Sequence, residues 1–260
     1  DNYGNLDRRA DAQIIVNTTP VGMFPANGVS PVDLARFPAL TGVLDIVYNP
    51  ARTALVLQAE KRGIPCMSGL YMLAAQAKRT AELFENRCID ERETERVWRA
   101  LSARMQNVVL IGMPGCGKSA AAARLAERLG RVMLDSDAEI ERRAGMSCTR
   151  MIETQGEAAF RLLESEVLAD LGKRSGAVIA TGGGCVLREE NYDALHQNGI
   201  IFWLERDPAH LPREGRPLSA GDIAALYGQR KAHYARFADR VIDNNGALED
   251  TVRQIAAALL

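Results

Sequence analysis

Apolar runs alternate with amphipathic stretches along the whole chain. QIIVNTTPVGMFP (13–25) reads as a buried strand leading into a loop punctuated by Pro20 and Gly22. GVLDIVYNP (42–50) reads as a second apolar strand stopped by Asn-Pro. Between Pro50 and Gly63, ARTALVLQAEKR has helical periodicity, closed by Gly63. A short IPCMSG stretch and a long amphipathic pattern, LYMLAAQAKRTAELFEN, follow. Strands alternating with helices predict a parallel α/β sheet. The elements are too few for a complete doubly wound domain, so residues 1–88 read as part of one, lacking its N-terminal side. Residues 89–106, IDERETERVWRALSARMQ, are charge-rich, with Val97, Leu101 and Met105 at i, i+4 and i+8. That pattern predicts a solvated linker helix. From 107 the series restarts: strand VVLIG, loop, helix KSAAAARLAERLG, strand RVMLDSD, helices to about 172, strand AVIATGGG, a helix, then strand IIFWLER. Residues 107–260 thus hold enough βαβ units for one complete small domain.

Composition narrows the class only slightly. The 260 residues are 47% hydrophobic and 25% charged, as in an ordinary globular protein. The net charge of −1 gives no reason to expect nucleic acid or an anionic membrane as partner. There is no apolar run long enough to span a bilayer. The chain opens on Asp with no signal-peptide pattern, and the absent Met suggests a start further upstream. Five cysteines, at 66, 88, 116, 148 and 185, have no C-x-x-C spacing. They suggest neither a disulfide framework nor a zinc site, and a reducing cytoplasm is the expected compartment. Cys116 reads as a small filler in a loop.

The chemistry starts at Gly112-Met113-Pro114-Gly115-Cys116-Gly117-Lys118-Ser119, a full match to G-x-x-x-x-G-K-[ST] between a strand and a helix. Glycines let backbone N–H groups turn inward around phosphates, and the following helix points its positive end at them. Lys118 would reach the β/γ-phosphates and the Ser119 hydroxyl would bind Mg²⁺. VMLDSD places Asp135 and Asp137 at the carboxyl edge of the next strand. If the strand stays extended through both, the two carboxylates share one side and face the ligand crevice. The alternative is that they cap the following helix. Gly182, Gly183 and Gly184 follow another buried strand and would let a ligand approach the backbone closely. A base-reading N-K-x-D element does not occur, which points to a small-molecule kinase.

GMPGCGKS, LDSD, GEAAFRLLESEVL, ATGGG, GRPLS and RKAHYARFAD, in that order, resemble the shikimate kinase family over about 107–260. The resemblance implies a nucleoside-monophosphate-kinase-like P-loop fold and transfer of the ATP γ-phosphoryl group to the 3-hydroxyl of shikimate. It implies that Gly115, Cys116, Gly117, Lys118, Ser119 and Ala120 hold ATP, and that Asp135 with Ser119 holds Mg²⁺. Asp137 would hold the acceptor hydroxyls and assist deprotonation. Arg161 and Arg230 would take the shikimate carboxylate, with Glu164 locking Arg161 one helical turn on. Gly182–Gly184 would form the backbone shell around shikimate, and Arg216 would close over the γ-phosphate. Arg213 is the nearest match to an adenine-stacking arginine. DNNGALED sits where the family holds adenine and lacks a clear arginine. Two rivals are a gluconate-kinase-like enzyme and a non-catalytic nucleotide-binding assembly module.

NTTPVGMFP, DIVYNP and SGLYMLAAQAKRTAELF resemble the C-terminal part of shikimate dehydrogenase over about 1–88. The resemblance implies a partial Rossmann-like NADP-binding domain. Ile46 and Gly69 would be nicotinamide-side contacts, Asn17 and Thr18 would lie on that loop, and Tyr48 and Gln76 would be shikimate contacts. Residues 1–88 lack a G-x-G-x-x-G cofactor turn, the substrate domain and the family's catalytic Lys and Asp. NADP is therefore expected only with the intact parent, a fusion whose dehydrogenase segment extends upstream.

Overall fold

The computed structural model describes residues 3–211 and 223–259. It divides into two compact units, Asp1–Met105 and Gln106–Leu260.

The first unit is built on three parallel strands in order β1-β2-β3: β1 (Ile14–Asn17), β2 (Gly42–Asp45) and β3 (Cys66–Met67). β3 is only two residues long and arises in the IPCMSG stretch, too short for a period to show. Asp45 ties the carboxyl edge together. Its buried carboxylate accepts from Asn17 Nδ2 (2.9 Å), Val47 N (3.0 Å) and Thr53 Oγ1 (2.6 Å). The same Thr53 hydroxyl accepts from Val56 N, so α1 (Ala54–Lys61) starts at 54 rather than at 51. α2 (Leu70–Glu85) ends at Asn86 in the left-handed conformation, φ 48°. α3 (Glu91–Met105) is part of this unit and packs on α2, with Trp98 meeting the Tyr71 ring edge-on at 5.9 Å. Its packed side carries Thr94, Trp98, Leu101 and Met105; Val97 is 37% exposed. One sheet face covers a core of Leu34, Phe37, Val43, Leu55 and Ala59. The other carries Ile14, Val16, Leu44 and Met67, all between 45% and 55% exposed.

The second unit has a five-stranded parallel sheet in order β5-β6-β4-β7-β8. The elements run β4 (Asn107–Ile111), α4 (Lys118–Leu129), β5 (Met133–Asp135), α5 (Ser136–Ala144), α6 (Cys148–Gln155) and α7 (Glu157–Gly172). β6 (Val178–Ala180), α8 (Glu190–His196), β7 (Gly199–Glu205), α9 (Ile223–Phe237), β8 (Arg240–Asp243) and α10 (Leu248–Ala258) complete it. β4 lies at the centre and is buried at all five positions, which explains its unbroken apolar run. Its neighbours Ile179, Ile201 and Phe202 are also fully buried, as are Leu125 of α4 and Leu168 of α7. The chain runs from β4 to β5 and β6 on one side, then crosses past β4 to β7 and β8 on the other. The crevice at the carboxyl ends of such a sheet is where ligands sit.

Candidate active site

The loop between β4 and α4 begins the site. Gly115 and Gly117 have φ of 81° and 94°, a left-handed backbone that a side chain would strain. Gly117 caps α4, so the helix's positive end opens into the loop. Lys118 is 7% exposed and donates from Nζ to the carbonyls of Gly112 (2.9 Å) and Met113 (3.0 Å). Cys116 is buried under the loop, 3.9 Å from that amine. Its carbonyl accepts from the buried Asn244 Nδ2 (2.5 Å), and Asn244 Oδ1 accepts from Thr251 Oγ1 (2.8 Å). A planar trans peptide sets C=O and the next N–H in opposite directions. Asn244 thereby turns the Gly117 N–H away from β8. DNNGALED, singled out for adenine, supplies this brace.

Asp135 and Asp137 do not share an extended strand. β5 ends at Asp135, which is the N-cap of α5: its Oδ1 accepts from Asp137 N (3.0 Å) and Ala138 N (3.3 Å). Asp137 lies in the first helical turn. The capping alternative describes Asp135, because the orphan N–H groups of the first helical turn draw on the carboxylate next to them. Asp135 still faces the loop with its other oxygen, which accepts from Ser119 Oγ at 2.7 Å.

The opposite wall comes from α7 and the glycine run. Arg161, at the edge of burial, donates through Nη1 to Glu164 Oε2 (2.8 Å) and through Nε and Nη2 to Glu157 Oε1 (3.2 and 3.0 Å). Glu164 is 1% exposed, and its Oε1 has no hydrogen-bond partner in the structure. Burial pushes the Glu164 carboxyl above the ordinary carboxylate range; Arg161 pulls it back, and nearby Asp137 adds to the rise. The three glycines meet three different neighbours. A Cβ on Gly182 would lie 2.8 Å from Asp137 Oδ1 and 2.9 Å from the unpaired Glu164 Oε1. One on Gly183 would strike the Pro114 ring at 2.6 Å, and one on Gly184 would enter the Arg161 guanidinium. Arg230 of α9, 6% exposed, donates to the Gly183 carbonyl at 3.1 Å.

These residues enclose one cavity of about 470 Å³, bounded by the phosphate loop, Asp137, Arg161, Glu164, Gly182–Gly184 and Arg230. Ser119 and Ala120 line it; Cys116 and Asp135 stand behind. The sequence reading missed the wall formed by Cys148, Thr149 and Ile152 of α6 with Phe160 of α7. The spacing of Cys148 and Ile152 at i, i+4 was the available signal. The Cys148 thiol, pushed up to about 12 by burial and the nearby Asp137 and Glu141 carboxylates, is a neutral wall group. Arg213 and Arg216 lie outside the described residues. In the first unit, Gly69 is buried against the Ile46 carbonyl and donates to Val47 O (3.0 Å). The Asn17 side chain is committed to Asp45, while Thr18, Tyr48 and Gln76 are exposed.

A phosphate loop on a central parallel strand, facing Arg161, Arg230 and the carboxylates of Asp137 and Glu164 across one cavity, defines a P-loop phosphotransferase acting on a small acceptor. The family model for shikimate kinase matches residues 114–260. The shikimate kinase of Symbiobacterium thermophilum is 37% identical over 166 residues, 59% of this chain and 95% of its own. The structure of a shikimate kinase from Acinetobacter baumannii in complex with shikimate covers 62% of this chain and 96% of its own. It is 31% identical, with a TM-score of 0.55. A chorismate mutase/shikimate 5-dehydrogenase fusion protein from Clostridium acetobutylicum is 33% identical over 38% of this chain and 36% of its own. Its TM-score of 0.35 by itself defines no shared fold. The chain belongs to the shikimate kinase family of ATP-dependent phosphotransferases.

Proposed function

We propose that residues 107–260 transfer the γ-phosphoryl group of ATP to the 3-hydroxyl of shikimate. The observation that carries this reading is the convergence of the phosphate loop, Asp137 and the Arg161–Glu164 pair on one cavity. The loop N–H groups and Lys118 hold the β/γ-phosphates. Arg161 and Arg230 fix the acid end of the acceptor through charge-assisted bonds. Asp137 aims the acceptor hydroxyl and receives its proton as the new P–O bond forms and the bond to ADP breaks. The unpaired Glu164 Oε1 accepts from a second acceptor hydroxyl, which removes the cost of leaving a buried oxygen unsatisfied. By its resemblance, Arg216 offsets charge on the transferring group.

Ser119 Oγ and Asp135 Oδ2, both hard oxygens 2.7 Å apart beside the loop, fit Mg²⁺. That ion typically takes one or two carboxylates plus phosphate oxygens and waters. When bound it supplies charge neutralisation across the β/γ-phosphates. Residues 1–88, on their motifs, belong to a shikimate-dehydrogenase-like segment of a fusion protein. They contain no G-x-G-x-x-G turn to cradle the NADP pyrophosphate. Among the described residues no helix is long and apolar enough to cross a membrane. Free thiols at all five cysteines suit a reducing cytoplasm.

A coupled ADP-release assay with Mg-ATP tests the reading: turnover must depend on shikimate and not on gluconate. ADP release indifferent to shikimate would refute it.

A further inference from the structure

We propose that Tyr234 is a positioning residue for the acceptor site, aiming the peptide between Gly183 and Gly184 and tying it to the phosphate loop. This rests on the phosphotransfer reading above and assigns a new role within the same site.

Tyr234 is completely buried in α9, one turn beyond Arg230. Its hydroxyl donates to the Gly183 carbonyl at 2.5 Å, and Arg230 Nη1 donates to the same oxygen at 3.1 Å. Both lone pairs of that carbonyl are thus engaged from one helix. The peptide plane cannot rotate without breaking two bonds, one of them charge-assisted. Because the trans peptide is planar, the Gly184 N–H points away from α9. With Gly183 and Gly184 both lining the cavity, that direction presents a backbone donor to the acceptor, next to the Arg161 guanidinium.

The hydroxyl also lies 3.8 Å from Met113 Sδ of the phosphate loop, while Pro114 of that loop abuts Gly183. The ring stacks on Trp203 at 5.8 Å, which fixes where the hydroxyl sits. Burial raises the phenol's proton affinity further, keeping it a neutral donor. Gly183 therefore stands between the two substrates' binding elements, and Tyr234 touches both sides of it. Arg230 alone holds the carbonyl from a flexible stem. Tyr234 holds it from a rigid ring with two side-chain torsions.

Tyr234→Phe keeps the ring, the stacking and the volume, and deletes only the donor. Losing one net hydrogen bond corresponds to roughly a three- to tenfold effect. In the ADP-release assay on the full chain, the shikimate KM should rise by about that factor, with the Mg-ATP KM within about twofold of wild type. Partial misfolding lowers kcat but leaves each KM unchanged, so the ratio of the two constants remains readable if the variant is less stable. An unchanged shikimate KM, or equal rises in both constants, would overturn the proposal. A wild-type chain whose ADP release ignores shikimate would instead overturn the function reading on which it rests. An active wild type with an unaffected Tyr234→Phe variant overturns only the role of Tyr234.

Discussion

Gly184→Ala isolates the acceptor site with a single methyl group. Gly184 has φ −105° and ψ 0°, a conformation open to alanine, so the substitution adds no backbone strain. What it adds is a carbon 2.5 Å from Arg161 Nη2 and 2.6 Å from Arg161 Cζ. Ordinary contact requires about 3.5 Å, so the guanidinium must retreat by about 1 Å. It is poorly placed to do so. Nη1 is held by Glu164, itself 1% exposed, and the Nε–Nη2 edge is held by Glu157. A reactant-positioning group displaced by about 1 Å typically costs on the order of 10²-fold, equivalent to about 2.7 kcal/mol of transition-state stabilisation. We expect kcat/KM for shikimate to fall by roughly 30- to 100-fold, with the Mg-ATP KM within about twofold of wild type. The strain should also lower stability by about 1–3 kcal/mol, read by thermal unfolding. The assay is coupled ADP release with each substrate varied in turn. A folded variant whose shikimate kcat/KM lies within threefold of wild type, on the order of 0.7 kcal/mol, would refute the reasoning.

Gly183→Ala drives a methyl into the Pro114 ring, so both KM values should rise together in the same assay, unlike the selective loss at Gly184. Glu164 links the acceptor site to pH: as pH falls through its raised value the carboxylate is neutralised, the Arg161 pair is lost, and the shikimate KM should climb. Glu164→Gln should show a high shikimate KM throughout, with that acid limb abolished in a KM–pH profile. For folding the sign is opposite. A carboxyl raised in the folded state contributes stability below its ordinary value of 4.5 that is lost as pH rises through the raised value, checked by denaturant titration at several pH values. Residues 1–88 carry no pyrophosphate cradle, so the chain should not reduce NADP with shikimate, measured as NADPH absorbance at high enzyme concentration.

The phosphate loop was readable because its chemistry is local. Eight consecutive positions from Gly112 to Ser119 carry the glycines, the lysine and the hydroxyl, and the strand and helix around them are long and periodic. The pair Asp135 and Asp137 was readable as residues and misread as geometry. A strand end and a helix N-cap draw on the same acidic residues, and only the orphan N–H groups of α5 decide between them. The helix at 91–105 shows a related limit. Val97 fits the apolar period, yet Thr94 and Trp98 are turned to α2, because the ring of Trp98 finds Tyr71 there. Periodicity locates a helix more reliably than it selects the packed residues.

The orientation of the backbone acceptors was beyond the reach of motif reading for a different reason. At both ends of the cavity a main-chain carbonyl is captured by a side chain distant in sequence: Cys116 by Asn244, 128 residues on, and Gly183 by Tyr234, 51 residues on. A motif records side chains at fixed spacing. It says nothing about which way a peptide plane faces, and a carbonyl has no residue type of its own. Yet the donors that meet a phosphate or a carboxylate in such a site are largely backbone N–H groups, whose direction is fixed by whatever holds the carbonyl of the preceding residue. Asn244, on β8's exit within DNNGALED, and Tyr234, on α9 within RKAHYARFAD, therefore belong to the preorganisation of the site through the carbonyls they hold. Their side chains act where Gly117 and Gly184 present their N–H groups, so the C-terminal elements shape both halves of the site.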